Sequence, residues 1–379
     1  MASATIPFLR LVPLSYRLAR ATSTKSERPN LNAIQFNPSM GRFKTLLTSF
    51  PSRGRSTAPD ATNATNATNA TNATTSPLEP PPLPSGPGST VVKAALCQVA
   101  VGNDKDANIR RAGSLIAEAA SQGASLVVLP EIWNSPYSND AFPKYAEEVD
   151  FGDSSSKGTN ASACPSYEFM SSAAREHGIV LVGGSIPTRK GDKLYNTCFV
   201  FGRTGDLLGS YSKLHLFDID IPGKITFRES DTLTAGEGLT VLDTDVGRIG
   251  LGICYDMRFP ELAALYSARG VQIMVYPGAF NTTTGPLHWE LLQRARAVDN
   301  QMFVLTCSPA QDKEGGYVAW GHSTAVGPFA EVLGTIDETE GIVYAELDLA
   351  QVETRRANMP LNDQRRKDLY ALMDLGPSA

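Results

Sequence analysis

From Val91 onward the sequence alternates short, wholly apolar runs with stretches whose apolar residues recur every three or four positions. Strands buried on both faces need the first pattern and amphipathic helices need the second, so the alternation restricts this region to layered α/β architecture. "VVKAALCQVA" reads as a strand. Asp104 or Asp106 can then cap a helix whose Ile109, Ala112, Ile116 and Ala119 share one face. "ASLVVLPE" is a second buried strand ending at Glu131, and a helix from about Tyr167 to His177 stops at Gly178 before the strand "IVLVGGSIP". Hairpin signals are mixed in: two strand-like runs flank "GRTGD", "LTVLDTDVGRIGLGIC" reads as a strand pair, and "STAVGPFAEVLGTI" with "GIVYAELDL" reads as a closing hairpin. Mixed sheets, not one purely parallel sheet, are expected.

The first ninety residues follow other rules. Residues 1–60 carry nine Lys or Arg against Glu27 and Asp60, a net of +7, and are rich in Ser, Thr and Ala. That composition suits an organelle transit peptide, with a disordered tail as the alternative. "IPFLRLVPLSYRLAR" is too interrupted by Arg and Pro to span a membrane. Residues 61–90, "ATNATNATNATNATT" and then "PLEPPPLPSGPG", form a low-complexity and proline-rich linker that cannot bury a core. Removing the +7 and the single acid of this linker from the whole-chain −5 leaves −11 for residues 91–379. An acidic body without a basic stripe argues against nucleic acid or an anionic membrane as partner. The five cysteines are widely spaced without a Cys-x-x-Cys pair, and the four histidines show no paired spacing. Neither a disulfide framework nor a metal site is indicated, and a reducing compartment fits best.

Three polar residues close apolar or strand-like runs: Glu131, Lys213 and Cys254. Cys254 stands where the strand of "GRIGLGIC" gives way to the helix after Pro260, the end of a sheet where nucleophiles collect. A thiol is mostly protonated at neutral pH and needs a base, which Glu131 can supply. The oxyanion formed on an attacked carbonyl needs a fixed positive charge, which Lys213 can supply. On pattern alone the same residues read equally well as two strand-end surface charges and a small buried hydrophobe.

"LPEIWNSPY", "KLHLFDIDIPGKITFRES" and "GICYDMRFPELA" resemble the three signature segments of the carbon–nitrogen hydrolase, or nitrilase, superfamily, and the likeness runs from about Val91 to Tyr370. Within it, "PYSNDAFPKYAEE", "YPGAFNTTTGPLHWELLQRARAVDNQ" and "YVAWGHSTAVGPF" are most similar to the omega-amidases, the plastid-type plant enzymes in particular. The resemblance implies a four-layer α-β-β-α sandwich over residues 91–379, usually a homodimer, working without metal or organic cofactor. It implies Glu131 as general base, Lys213 as the oxyanion and positioning residue, Cys254 as nucleophile and Glu229 as a second glutamate beside the lysine. Hydrolysis of small ω-amides such as 2-oxoglutaramate and 2-oxosuccinamate through a Cys thioester follows, with the Tyr255 N–H assisting Lys213. Arg258 is expected to bind the substrate carboxylate, with an ion pair to Asp256 or Glu261 as its alternative, and Tyr137 and Thr283 match pocket positions. His215 is expected to be a support, and Trp133 and Trp289 core. The deaminated-glutathione amidases share a segment very like "CYDMRFPE" and form the nearest alternative. A non-catalytic scaffold is the alternative of another class. Localisation in the chloroplast is expected, with the mitochondrion as alternative.

Overall fold

A computed structural model describes residues 91–149, 164–223 and 225–376. The expected transit peptide and linker, residues 1–90, lie outside the described residues. Two large sheets repeat one pattern of pairing. In the first, Val91–Gln98, Leu126–Val128 and Val180–Val182 run parallel, flanked by antiparallel Gly341–Asp348 on one side and Lys193–Phe201 on the other. Ile186–Lys190, Glu147–Glu148 and Leu207–Ser212 complete it. In the second, Gly247–Leu251, Ile273–Pro277 and Phe303–Cys307 run parallel, flanked by antiparallel Val241–Thr244 and Thr324–Val326, with Val332–Thr335 outermost.

Side chains alternate across a strand, and that period fixes the layers. Leu96, Val128 and Val182 of the first sheet share one buried cluster with Leu251, Val275 and Leu305 of the second. Their neighbours Ala95, Val127 and Leu181 point the other way, into a cluster with Ala112, Ile116 and Ala119 of helix Lys105–Ser121 and Met170 and Ala174 of helix Pro165–His177. On the far face of the second sheet, a Cβ on Gly250 would come within 2.8 Å of the Tyr266 ring, so the glycine allows helix Pro260–Ala268 to lie close. Helix Gly285–Asn300 packs beside it. The order is helices, sheet, sheet, helices: the four-layer α-β-β-α sandwich of the nitrilase type.

Local signals set the helix ends. Asp104 accepts from the Ala107 N–H at 3.1 Å as an N-cap, and Gly178 ends its helix at a left-handed φ of 61°. Trp133 and Trp289 are core residues, 0% and 2% exposed. One expectation is corrected. The strand Gly341–Asp348 is not the hairpin partner of "STAVGPFAEVLGTI", which folds back on itself. It pairs along its whole length with Val91–Gln98 in the other sheet. Val343, Ala345 and Leu347 face the inter-sheet core while Ile342 and Tyr344 face the helices, and the place beside Val91–Gln98 covers both sets. Among the described residues, no helix is long and apolar enough to cross a membrane, and no group of three His, Cys, Asp or Glu is placed to hold a metal.

Candidate active site

Cys254 begins a single 3-10 turn, Cys254–Arg258, between strand Gly247–Leu251 and the helix that Pro260 opens. Its φ is 49°, a left-handed conformation that a residue with a Cβ adopts only when its surroundings enforce it. Two sets of contacts do so. A Cβ on Gly278 would lie 3.2 Å from the Cys254 Cα and from the Trp289 ring, so glycine is what lets the next strand's end approach. Asp256, fully buried, accepts from the Ile253 N–H at 2.8 Å, Tyr211 Oη at 2.7 Å and the His215 N–H at 2.9 Å, and its carboxylate lies 2.7 Å from His215 Nδ1. The turn is thereby tied to the segment that carries Lys213. The alternative pairing of Asp256 with Arg258 is not formed, and His215 is the support expected of it.

Glu131 lies three residues past its strand, on a loop bent by Ile132 at φ 51°. Ser185 holds the loop, its N–H donating to the Pro130 carbonyl and its Oγ accepting from the Ile132 N–H at 3.1 Å. Lys213 follows strand Leu207–Ser212 and Glu229 opens a short turn after the hairpin of Asp218–Ile221 and Ile225–Arg228. All three side chains are fully buried, and the Lys213 ammonium lies 2.9 Å from Oε1 of both carboxylates. Tyr137 donates to Glu229 and lies 3.3 Å from Glu131 Oε1 and 3.4 Å from Lys213 Nζ. Asn196 Nδ2 donates to Glu131 Oε1 at 2.9 Å, and the Phe217 N–H donates to Glu229 Oε2 at 2.6 Å. The second oxygen of Glu131, Oε2, is buried without a partner of this kind, and the carboxylate interacts with the Cys254 thiol.

Burial governs the protonation of this cluster. It raises Glu131 above the usual carboxylate range, with Glu229 adding to the rise and Lys213 opposing it. Burial works against the Lys213 ammonium, but Glu131 and Glu229 override it and hold the charge well above the ordinary lysine range. The Cys254 thiol is pushed well up by burial and by Glu131, with Lys213 opposing. The resting thiol is therefore protonated beside a base of raised proton affinity, and a proton can pass between them once a substrate accepts the sulfur's electrons. The Ala279 N–H points to Sγ at 3.4 Å.

Cys254 opens onto a narrow cleft of about 10 Å³ lined by Phe217, Tyr255, Arg258, Phe280, Asn281 and Tyr317, among others. Arg258 has no carboxylate within ion-pair distance among the described residues. Its guanidinium lies over the Phe280 ring at 4.6 Å and the Tyr255 ring at 5.5 Å, with His288 Nδ1 3.2 Å from one nitrogen. Tyr255 also supplies an N–H in the first turn of the 3-10 segment, where backbone donors lack intrahelical partners. Thr283 is exposed, and its neighbours Asn281 and Thr284 line the cleft instead. Residue patterns gave no notice of Tyr317, which stacks on Tyr137 at 4.5 Å and donates to the Ala279 carbonyl, nor of Asn196 and Asp256 as positioning groups. A larger cleft of about 250 Å³, lined by Arg203, Asp206, Asp243 and Asp245 among others, contains none of the cluster.

A model of the family described as carbon-nitrogen hydrolase matches residues 93–357. The chain is 60% identical over 294 residues to the protein named "Omega-amidase, chloroplastic" of Arabidopsis thaliana, covering 78% of this chain and 77% of that protein. To "Omega-amidase NIT2" of Homo sapiens it is 53% identical over 283 residues, 75% of this chain and 98% of that one. Among solved structures, Saccharomyces cerevisiae Nit3, described as a member of branch 10 of the nitrilase superfamily, matches with a TM-score of 0.65 at 45% identity, over 73% of this chain and 97% of that one.

Proposed function

The chain belongs to the carbon–nitrogen hydrolase family, and from that premise we propose that it is an omega-amidase, converting 2-oxoglutaramate and 2-oxosuccinamate to the 2-oxo dicarboxylates and ammonia. The observation that carries the mechanism is the buried ammonium of Lys213, 2.9 Å from both Glu131 and Glu229, beside a cysteine held at a left-handed φ of 49°. In this reading Cys254 Sγ attacks the amide carbon as Glu131 takes the thiol proton. The carbonyl oxygen becomes an oxyanion facing Lys213 and the Tyr255 N–H. Glu131 passes the proton to the departing nitrogen, ammonia leaves, and a thioester remains. Glu131 then takes a proton from water, the hydroxide adds to the thioester, and the returning proton releases the Cys254 thiol and the carboxylic acid. Glu229 and Tyr137 keep Lys213 aimed.

Substrate choice rests on Arg258, whose fork meets no carboxylate among the described residues and can take one from the ligand. The Arabidopsis and human relatives named omega-amidases support the same substrate class. A plastid address is part of the proposal, supported by the name of the plant relative and the +7 charge of residues 1–60. So is a homodimer, for which helix Gly285–Asn300 offers Leu287 and Leu291, exposed and one turn apart. The test is ammonia release by the full chain from 2-oxoglutaramate, 2-oxosuccinamate and deaminated glutathione. The two 2-oxo ω-amides should be preferred, and Cys254→Ala should lower the rate at least ~10³-fold. A preference for deaminated glutathione, or an active Cys254→Ala protein, would refute the reading.

A further inference from the structure

The cleft beside Cys254 holds a polar group that the mechanism leaves unused and that lacks a partner. Asn281 is only 7% exposed, and its Nδ2 is buried without a hydrogen-bond partner among the described residues. The other end of the same amide is saturated: Oδ1 accepts from the Thr283 N–H at 3.0 Å, the Thr284 N–H at 2.9 Å and Thr284 Oγ1 at 3.1 Å. The two backbone N–H groups can only donate, so a flip of the amide would set its NH₂ against them and is excluded. The donor must therefore face away from its own turn. Burying an unpaired amide N–H is costly, and a ligand acceptor would remove that cost.

The position of that donor suggests what it reads. Asn281 lines the cleft together with Cys254 and Arg258, and the Arg258 guanidinium lies on the ring of the preceding residue, Phe280, at 4.6 Å. A 2-oxo acid carries its keto oxygen on the carbon next to its carboxylate. A cleft lined by both a guanidinium and an amide donor can meet both groups. We propose that Asn281 is a specificity-determining residue that donates from Nδ2 to the 2-oxo oxygen of the substrate while Arg258 holds the carboxylate. The assignment rests on the omega-amidase reading and extends it. A 2-ammonium group in the same place, as in glutamine, can only donate. It would leave Asn281 unpaired, face it donor to donor, and add a positive charge beside Arg258. The site thereby selects 2-oxo acid amides over 2-amino acid amides.

The test compares kcat/KM of the full chain for 2-oxoglutaramate with that for glutaric acid monoamide, which has the same chain and carboxylate but no 2-substituent. Asn281→Asp keeps an oxygen to accept from Thr283 and Thr284 and replaces the donor with an acceptor. Its preference for 2-oxoglutaramate should fall roughly 10- to 100-fold relative to the wild type, the penalty of a mispaired buried polar group. Asn281→Ser keeps a short hydroxyl and withdraws the reach, and should lose preference in the same direction. An effect exerted through Arg258 would weaken both substrates alike and leave the ratio unchanged, because both carry the carboxylate. A wild-type ratio kept within about twofold in both variants, on the scale of ~1.4 kcal/mol per tenfold, overturns the role of Asn281 and leaves the omega-amidase reading standing. A wild-type chain that turns over neither amide overturns that reading, and this inference with it.

Discussion

Asp256→Asn tests whether the strained turn at Cys254 is held from beneath. Each carboxylate oxygen of Asp256 accepts one backbone N–H: Oδ1 that of His215 at 2.9 Å, and Oδ2 that of Ile253 at 2.8 Å. The Tyr211 hydroxyl and the His215 ring can exchange donor and acceptor roles, but a backbone N–H cannot. Whichever way an asparagine amide is turned, its NH₂ faces one of the two N–H groups. One buried donor is left unsatisfied, at about 1–3 kcal/mol, and the surviving bonds lose their charge assistance, so a total of roughly 2–4 kcal/mol is expected. At about 2–4 °C per kcal/mol for a domain of this order, the midpoint of thermal unfolding should fall by roughly 5–15 °C. Activity should fall further than stability predicts. The lost bonds fix Cys254 relative to the Lys213 segment, and a displacement near 1 Å costs on the order of 10²-fold in rate. Thermal unfolding and kcat for ammonia release, measured well below the lowered midpoint, separate the two effects. A midpoint within about 1 °C of the wild type would refute the energetic account. A kcat within about twofold in a folded protein would refute the positioning role.

Two other perturbations probe different parts of the molecule. Glu229→Gln removes one of the causes that raise Glu131, so Glu131 should lose its proton at lower pH. A base works unprotonated, and the acid limb of the kcat/KM profile should therefore move to lower pH while the rate at the plateau falls; a limb that stays or moves up would show that Glu131 is not the group being titrated. Deleting residues 1–90 should leave turnover intact, because a low-complexity and proline-rich stretch has no core to contribute. The same deletion should abolish import of the chain into isolated plastids, and efficient import of the shortened chain would refute the targeting role.

The layers of this fold were legible because strands covered on both faces are apolar at every position, as in "LVV" of Leu126–Val128. Helix ends were legible because Asp104 and Gly178 act on atoms within a few residues of themselves. The partner of Gly341–Asp348 was not, since a register with a strand some 250 residues away leaves no local trace. The cleft shows the same division. Glu131, Lys213, Glu229 and Cys254 could be named because they stand at the ends of apolar runs or within resembling segments. Asp256 could be read only as an ion partner for its neighbour, and Tyr317 and Asn196 not at all. Thr283 and Asn281 differ by two positions, and which of them enters the cleft is decided by the turn that the Asn281 carboxamide caps.

What local pattern cannot show is where charge must be neutralised. Lys213 leaves water completely, and an ammonium does so only where carboxylates and their own donors travel with it. Glu131 and Glu229 arrive from separate loops, and the Phe217 N–H, Asn196 and Tyr137 hold them in turn. Removing either carboxylate therefore disturbs the lysine's neutrality as well as its aim. The site and the junction of the layers share these same contacts, so a group that positions the nucleophile or the ammonium also contributes to holding the fold, and Asp256 does both.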